Sequence, residues 1–361
     1  MIESHSPKDF SFTGTATEFF GIWIVNILLT ILTLGIYTPW AKVRTNRYFY
    51  GHTHVAGFNF DYLASPITIL KGYLIAVALF IIYIVVSTFA PGSEIIFFLL
   101  LMIALPFIVV RAMAFRLRNT AYRNLRFRFY GKYGQAAGIY LGLGILIPLT
   151  LGLIFPYFVY RTNKFLIANA GYGKSRFSLQ SGAGAFYKIY LIALGILIGA
   201  GIVVAVVMMP VMMQMQAAIE QANQSGVELD PEAMGAAMAG MPVLIYFLML
   251  LLYFGVFIYL RTAIANLVWN NVTLDGGHKF ESSLKLGRMA WIIFSNIIVI
   301  ALSLGLMIPW SRVRMVRYRM ETLNLIPGGD LDAFIAAKAE EESAFGEEMG
   351  DVFDMDIGGI G

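Results

Sequence analysis

The sequence predicts an all-α polytopic membrane protein with four transmembrane helices and three repeated re-entrant or kinked helices, with short β-hairpin-like strands on the cytoplasmic face. Three observations predict this fold: the composition, the distribution of Lys and Arg, and a motif that occurs three times. An alternative with seven transmembrane helices stays open, because each of seven apolar runs is long enough to cross a bilayer.

The composition is that of a membrane protein. Of 361 residues, 58% are hydrophobic and 13% are charged, whereas soluble domains carry roughly 25% charged residues. The chain has no cysteine, which excludes disulfides and thiolate metal sites. The polar start of the chain lacks the features of a cleavable signal peptide, so we expect it to be retained.

The distribution of basic residues predicts which runs cross the membrane. Lys and Arg are absent between Gly72 and Val110 and between Ile189 and Leu260. By the positive-inside rule, the connections "PGSE" and 214–240 then lie outside the cytoplasm, and the basic segments and both termini lie inside. This arrangement requires four runs to cross, at about 66–90, 95–115, 187–212 and 241–261. Three other runs then enter and leave on the same face, at about 18–40, 135–157 and 287–310.

The three non-crossing runs end in one gapless motif, [ST]-L-G-x-x-x-P-[WY], followed by basic residues. Gly permits backbone angles that other residues avoid, and Pro interrupts a helix. Broken helices persist in a membrane where their backbone is buried or lines a cavity. The motif therefore predicts re-entrant elements, and its candidate functional residues are Gly35, Pro39, Trp40, Arg44, Arg47, Gly152, Pro156, Tyr157, Arg161, Lys164, Gly305, Pro309, Trp310, Arg314 and Arg317.

Short stretches that alternate between aromatic and polar residues flank each element and predict strands, as in "FSF", "RFRFYG" and "HKFES". We expect them to pair in small cytoplasmic sheets. The predicted organisation begins with a cytoplasmic N-terminal segment (1–17) and two membrane repeats (18–134 and 135–286). A third re-entrant motif (287–329) and an acidic, largely disordered cytoplasmic tail (330–361) follow. The second repeat includes an acidic loop at 214–240.

The tail carries ten acidic residues and Lys338 as its one base, although the whole chain has a net charge of +4. Its segment "LDAFIAAKAEEESAF" predicts a helix. Two alternatives stay open for the tail: a solvated appendage, or a shield that folds back on the basic face of the protein.

Little in the sequence indicates chemistry. The pair His52 and His54 has metal-like spacing, but the sequence supplies too few further ligands, so we expect no metal site and no cofactor. Motifs for catalysis are absent, and no enzyme is expected. The basic segment after the third run could bind anionic lipid headgroups or only set orientation; nucleic acid is not an expected partner. The candidate lipid-binding residues are Arg116, Arg118, Arg123, Arg126 and Arg128.

The stretch "FSFTGTATEFFGIWIVNILLTILTLGIYTPWAKVRTNRYFYGHTHVAGFNFDYLASP" resembles the YjgN-like family of bacterial inner-membrane proteins. The resemblance covers about residues 10–325. It implies a bacterial inner-membrane location, and it implies neither a reaction nor functional residues.

Two functions are compatible with these observations. The preferred one is a channel or transporter-like protein for a small neutral or anionic solute, because repeated broken helices require a polar or buried environment. The alternative is a non-transporting membrane scaffold that binds anionic lipid or a partner. The oligomeric state does not follow from the sequence.

Overall fold

The computed structural model describes residues 6–225 and 231–341. Within these residues the chain forms ten short strands, most of which coincide with stretches that alternate between apolar and polar residues. They are β1 (Lys8–Phe12), β2 (Thr53–Val55), β3 (Phe58–Tyr62), β4 (Thr120–Tyr122), β5 (Leu125–Phe129), β6 (Ala170–Tyr172), β7 (Ser175–Leu179), β8 (Val272–Leu274), β9 (His278–Ser282) and β10 (Leu323–Ile326).

The ten strands form one closed antiparallel barrel. Each strand pairs with its neighbours in the sequence, and β10 closes the ring by pairing with β1. The predicted all-α class is therefore wrong. The expected strands exist, but they form a single barrel because closure leaves no strand with an unpaired edge, whereas separate small sheets would.

In the part of the chain that the structure describes, the helices occur as five pairs and one single helix. The pairs are α1 (Ala16–Leu32) with α2 (Thr38–Gly51), α3 (Pro66–Phe89) with α4 (Ser93–Arg118), α5 (Tyr133–Leu149) with α6 (Phe155–Ala168), α7 (Ala183–Ser225) with α8 (Pro231–Trp269), and α9 (Leu286–Leu302) with α10 (Ile308–Glu321). The single helix, α11, spans residues 331–341.

All five helical hairpins leave and re-enter the barrel at the same rim. Each hairpin connects two adjacent antiparallel strands, so its two ends meet the barrel side by side. We call this the helix rim, and the opposite end, where tight turns join β2 to β3 and β4 to β5, the turn rim. Each hairpin packs against the next, and α10 packs against α1. The hairpins therefore form a ring that continues the barrel.

Four of the described helices, α3, α4, α7 and α8, contain segments long and apolar enough to cross a membrane, and they coincide with the four predicted spans. The other three apolar helices, α1, α5 and α9, are shorter. The segment 214–240, which we expected to be a loop, belongs mostly to α7 and α8, which end and begin at Ser225 and Pro231. At about 1.5 Å per residue, α7 is far longer than a hydrocarbon core.

Candidate functional site

The three copies of the repeated motif fold into identical hairpin tips. In the first, Leu34 and Gly35 adopt positive φ angles of 49° and 91°. The Gly35 amide donates to the Thr30 carbonyl at 2.7 Å, a bond typical of a glycine-terminated helix. Thr33 Oγ1 then accepts a hydrogen bond from the Tyr37 amide at 3.0 Å. The same bonds recur at Thr150 and Ser303.

Each tip exposes a leucine in a strained conformation. Leu34, Leu151 and Leu304 are 93%, 93% and 94% exposed, and all have φ near 50°. A left-handed backbone costs an L-residue roughly 1–2 kcal/mol, and an exposed leucine gains nothing in water. Three such residues at equivalent tips are instead suited to the hydrocarbon of a bilayer.

The other motif residues are placed by the same geometry. Pro39, Pro156 and Pro309 lie in the first turn of the second helix of each hairpin, where a backbone N–H would have no partner within the helix. The aromatic residues that follow contact neighbours on the same helix: Trp40 stacks on Tyr37, and the Arg161 and Arg314 guanidinium groups lie 5.8 and 5.0 Å from the Tyr157 and Trp310 rings.

The basic residues of the three copies do not share one environment. Arg314 donates to Ser295 Oγ at 2.6 Å and to the buried Asn296 at 3.1 Å. Arg161 donates a hydrogen bond to the Tyr157 hydroxyl at 3.0 Å, and Arg44 is exposed. Lys164 donates to Tyr160, Arg317 donates to the Gly14 carbonyl at 2.9 Å, and Arg47 lies beside Asp61 on the outer wall.

The barrel interior contains a ring of phenylalanines. Each five-residue strand has Phe at its third position, and side chains alternate between the faces of a strand. From the phenylalanine of β1 to that of β9, the four successive pairs of aromatic rings have centroids 6.3–6.5 Å apart. The members of this phenylalanine ring are Phe10, Phe60, Phe127, Phe177 and Phe280. They pair across the strands with Val55, Tyr122, Tyr172, Leu274 and Leu325.

Two tyrosines tie neighbouring strand pairs together inside the barrel. The Tyr122 hydroxyl donates to the Val55 carbonyl at 2.8 Å, and the Tyr172 hydroxyl donates to the Tyr122 carbonyl at 3.0 Å. Burial raises the pKa of Tyr122 to about 12. The phenol therefore stays protonated and available as a donor.

A cavity of about 510 Å³ runs along the barrel axis. At the helix rim it is lined by Phe49, Trp269 and Met320, and at the turn rim by Phe334 and Ile335. Its lining is mainly apolar and includes all five members of the phenylalanine ring. Residues of both rims therefore contribute to the lining of one cavity.

The turn rim is closed by α11. Ile335 is buried, and Leu331 and Phe334 pack against the same core cluster as the phenylalanine ring. Asp332 forms an ion pair with Arg123 in the β4–β5 turn. The described part of the acidic tail thus packs on the turn rim of the barrel. Residues 342–361, which include most of the predicted disordered tail, lie outside the described residues.

His278 is the polar group beneath this helix. It is 2% exposed, its ring lies 4.4 Å from that of Phe334, and its Nδ1 accepts the Gly328 amide at 3.2 Å. Desolvation lowers the pKa of His278. The neutral imidazole is therefore the form that fits the docked tail.

A second cavity, of about 680 Å³, lies against the outside of the barrel beside α4 and β5. Three of the predicted lipid-binding residues, Arg118, Arg126 and Arg128, line it together with Tyr130. Arg116 instead lines the axial cavity, and Arg123 lies in a turn, 4.2 Å from the Phe58 ring. We call the lining of the outer cavity the basic pocket.

No group of three or more metal-ligating side chains occurs among the described residues. His52 and His54 each face a backbone carbonyl, at 2.7 and 3.2 Å. The five members of the phenylalanine ring were not among the functional residues predicted from the sequence. Their common signal is a central Phe in "KDFSF", "FNFDY", "LRFRF", "SRFSL" and "HKFES".

The fold and the site define a polytopic membrane protein whose helical hairpins stand on a closed barrel. The chain matches the family described as "Bacterial protein of unknown function (DUF898)" over residues 7–352, and it belongs to this family. Inner membrane protein YjgN of Salmonella typhimurium (strain LT2) is 28% identical over 360 residues, with 89% of each chain covered. The proteins of the same name from Escherichia coli O157:H7 and strain K12 are 32% identical over 154 residues, covering 42% of this chain and 38% of theirs. The resemblance to a YjgN-like family is confirmed; no solved structure matches.

Proposed function

We propose that this protein is a channel or transporter-like protein that conducts a small neutral or anionic solute along the barrel axis. The supporting observation is the axial cavity, whose lining extends from the helix ends at the helix rim to α11 at the turn rim. In this proposal the phenylalanine ring is an apolar constriction, a device by which pores close through dewetting. The docked α11 is the second closure, and catalysis has no part.

The membrane arrangement is part of the proposal. The barrel and both termini lie in the cytoplasm, and the three short hairpins enter the inner leaflet and return. Their apolar helices are shorter than the four spans, both ends meet one rim, and their exposed leucines suit hydrocarbon. The names of the relatives support an inner-membrane location. An impermeant thiol reagent should label Glu94→Cys in intact cells and should label Lys174→Cys in inverted vesicles alone; the reverse pattern contradicts this topology.

The conduction proposal is tested in proteoliposomes. Full-length protein and a chain ending at Gly329 are reconstituted, and chloride and glycerol fluxes are measured. We expect flux of at least one solute to rise when α11 is missing. A chain that carries Arg123→Cys and Asp332→Cys, joined by a short bis-maleimide, should lose flux, and the two single-cysteine chains are its controls. Absence of flux from every chain refutes the proposal.

The basic pocket favours a second candidate function, binding of an anionic lipid headgroup. Arg118, Arg126 and Arg128 meet at the end of a predicted membrane span. At about 1 kcal/mol per base near an anionic surface, the double change Arg126→Gln with Arg128→Gln should weaken retention of phosphatidylglycerol about 30-fold. Native mass spectrometry measures that retention, and equal retention by both chains removes this candidate.

A further inference from the structure

The axial cavity has the size and lining of a ligand site. Its volume of about 510 Å³ lies within the roughly 300–1,000 Å³ typical of small-molecule pockets. Barrels of about eight strands already hold one small ligand, and this barrel has ten strands. The side chains that face the axis are mostly aromatic and aliphatic. The barrel interior is therefore a preformed binding site for an apolar molecule.

One charged group lies at the membrane end of this apolar cavity. Arg116, two residues before the end of α4, is exposed and lines the cavity at the helix rim, the rim at which Trp269 and Met320 also line it. Within the described residues, the Arg116 guanidinium forms no hydrogen bond or ion pair with another side chain. Guanidinium groups bind carboxylates and phosphates in bidentate fashion. An apolar cavity with an unengaged cation at its mouth matches a molecule that has an apolar chain and an anionic end.

We propose that the barrel binds a single-chain anionic amphiphile of the fatty-acid type, with its acyl chain in the axial cavity and its anionic group at Arg116. This inference deepens the proposed function, because it names the class of solute. The ligand would reach the cavity from the inner leaflet at the helix rim, since α11 closes the turn rim. Free fatty acids and lysophospholipids share this chemistry.

The test is photo-crosslinking on full-length protein in nanodiscs. Palmitic acid that carries a diazirine on its chain is activated, and adducts are mapped by mass spectrometry. We expect adducts on the lumen residues Trp269 and Met320. Arg116→Gln should lower their yield about 10- to 150-fold, the equivalent of about 1.5–3 kcal/mol for a hydrogen bond to a charged group. The matched control is Arg111→Gln, on the same helix beside Phe107, which should retain the yield.

Competition by unlabelled ligands defines the class. Potency should rise about fourfold per added methylene, because burial of one CH₂ contributes about 0.8 kcal/mol, until the chain fills the cavity. If a lysophospholipid competes better than the fatty acid, the bound amphiphile is a lysophospholipid of the membrane and not a free fatty acid. Equal competition by two-chain phosphatidylglycerol, equal labelling by a neutral alcohol analogue, or adducts confined to the lipid-facing surfaces of α3 each overturns the proposal. Labelling does not require flux, so the binding inference and the conduction proposal can fail separately.

Discussion

Docking of α11 should depend on a single buried side chain, Ile335. This residue is 4% exposed in the cluster that contains the phenylalanine ring. Ile→Ala in a core costs about 2–5 kcal/mol. At a barrel mouth we expect the lower half of that range, about 2–3 kcal/mol. Because about 1.4 kcal/mol changes an equilibrium tenfold, the undocked population of Ile335→Ala should rise about 30- to 150-fold.

Hydrogen exchange followed by mass spectrometry measures this population. An isolated helix of this length is unstable in water, so its amides exchange whenever it leaves the barrel. The rate for the peptide covering 331–341 should rise by the stated factor, while β5 and β6 keep their protection. Ala336→Ser, on the exposed face of the same helix, is the control and should change the rate about twofold at most. If protection of the strands falls as much as that of α11, the tail is an integral part of the barrel and not a separate closure.

Three further outcomes are expected. Gly152→Ala should destabilise the protein by about 1 kcal/mol or more because the position has φ of +83°, whereas Gly142→Ala, in a helix with open space around it, should not; thermal unfolding compares them. Tyr122→Phe should cost about 1 kcal/mol through the lost bond to the Val55 carbonyl, and an unchanged melting temperature contradicts this. The pKa of His278 in the folded protein lies below the usual 6.5, so the state with α11 undocked binds more protons. Docking of α11 is therefore complete above about pH 6.5 and weakens as the pH falls towards the pKa of His278 in the folded protein. Exchange of 331–341, corrected for intrinsic rates, should show this trend, and His278→Gln should abolish it.

The sequence predicted the four helices that are long and apolar enough to cross a membrane, and it predicted the turn at each of the three hairpin tips. The four spans follow from long apolar runs without Lys or Arg. The tips follow from Gly and Pro at fixed spacing, because these residues act on the backbone locally. Local rules thus predicted local structure, down to the equivalence of Gly35, Gly152 and Gly305.

The barrel and its interior required information that is not local. Alternation identified most strands, but a strand of three to five residues does not specify its partner, and pairing such as that of Lys8 with Leu325 depends on the whole chain. The phenylalanine ring was missed because its members have different neighbours and lie in units whose hairpins differ in length. Two of the five hairpins lack the Leu-Gly tip, which concealed the common strand–hairpin–strand unit.

Closure of the ring by the first and last strands has a consequence for biogenesis. Lys8 of β1 lies opposite Leu325 of β10, so the barrel cannot close until the ribosome has synthesised the chain through β10. The helical hairpins synthesised earlier are then already inserted, and their strands remain in an open barrel until β10 pairs with β1. Nascent chains stalled before residue 323 should therefore be inserted in the membrane but remain protease-sensitive at their strands. Until β10 is synthesised, the unpaired strand edges of the open barrel are exposed to chaperones.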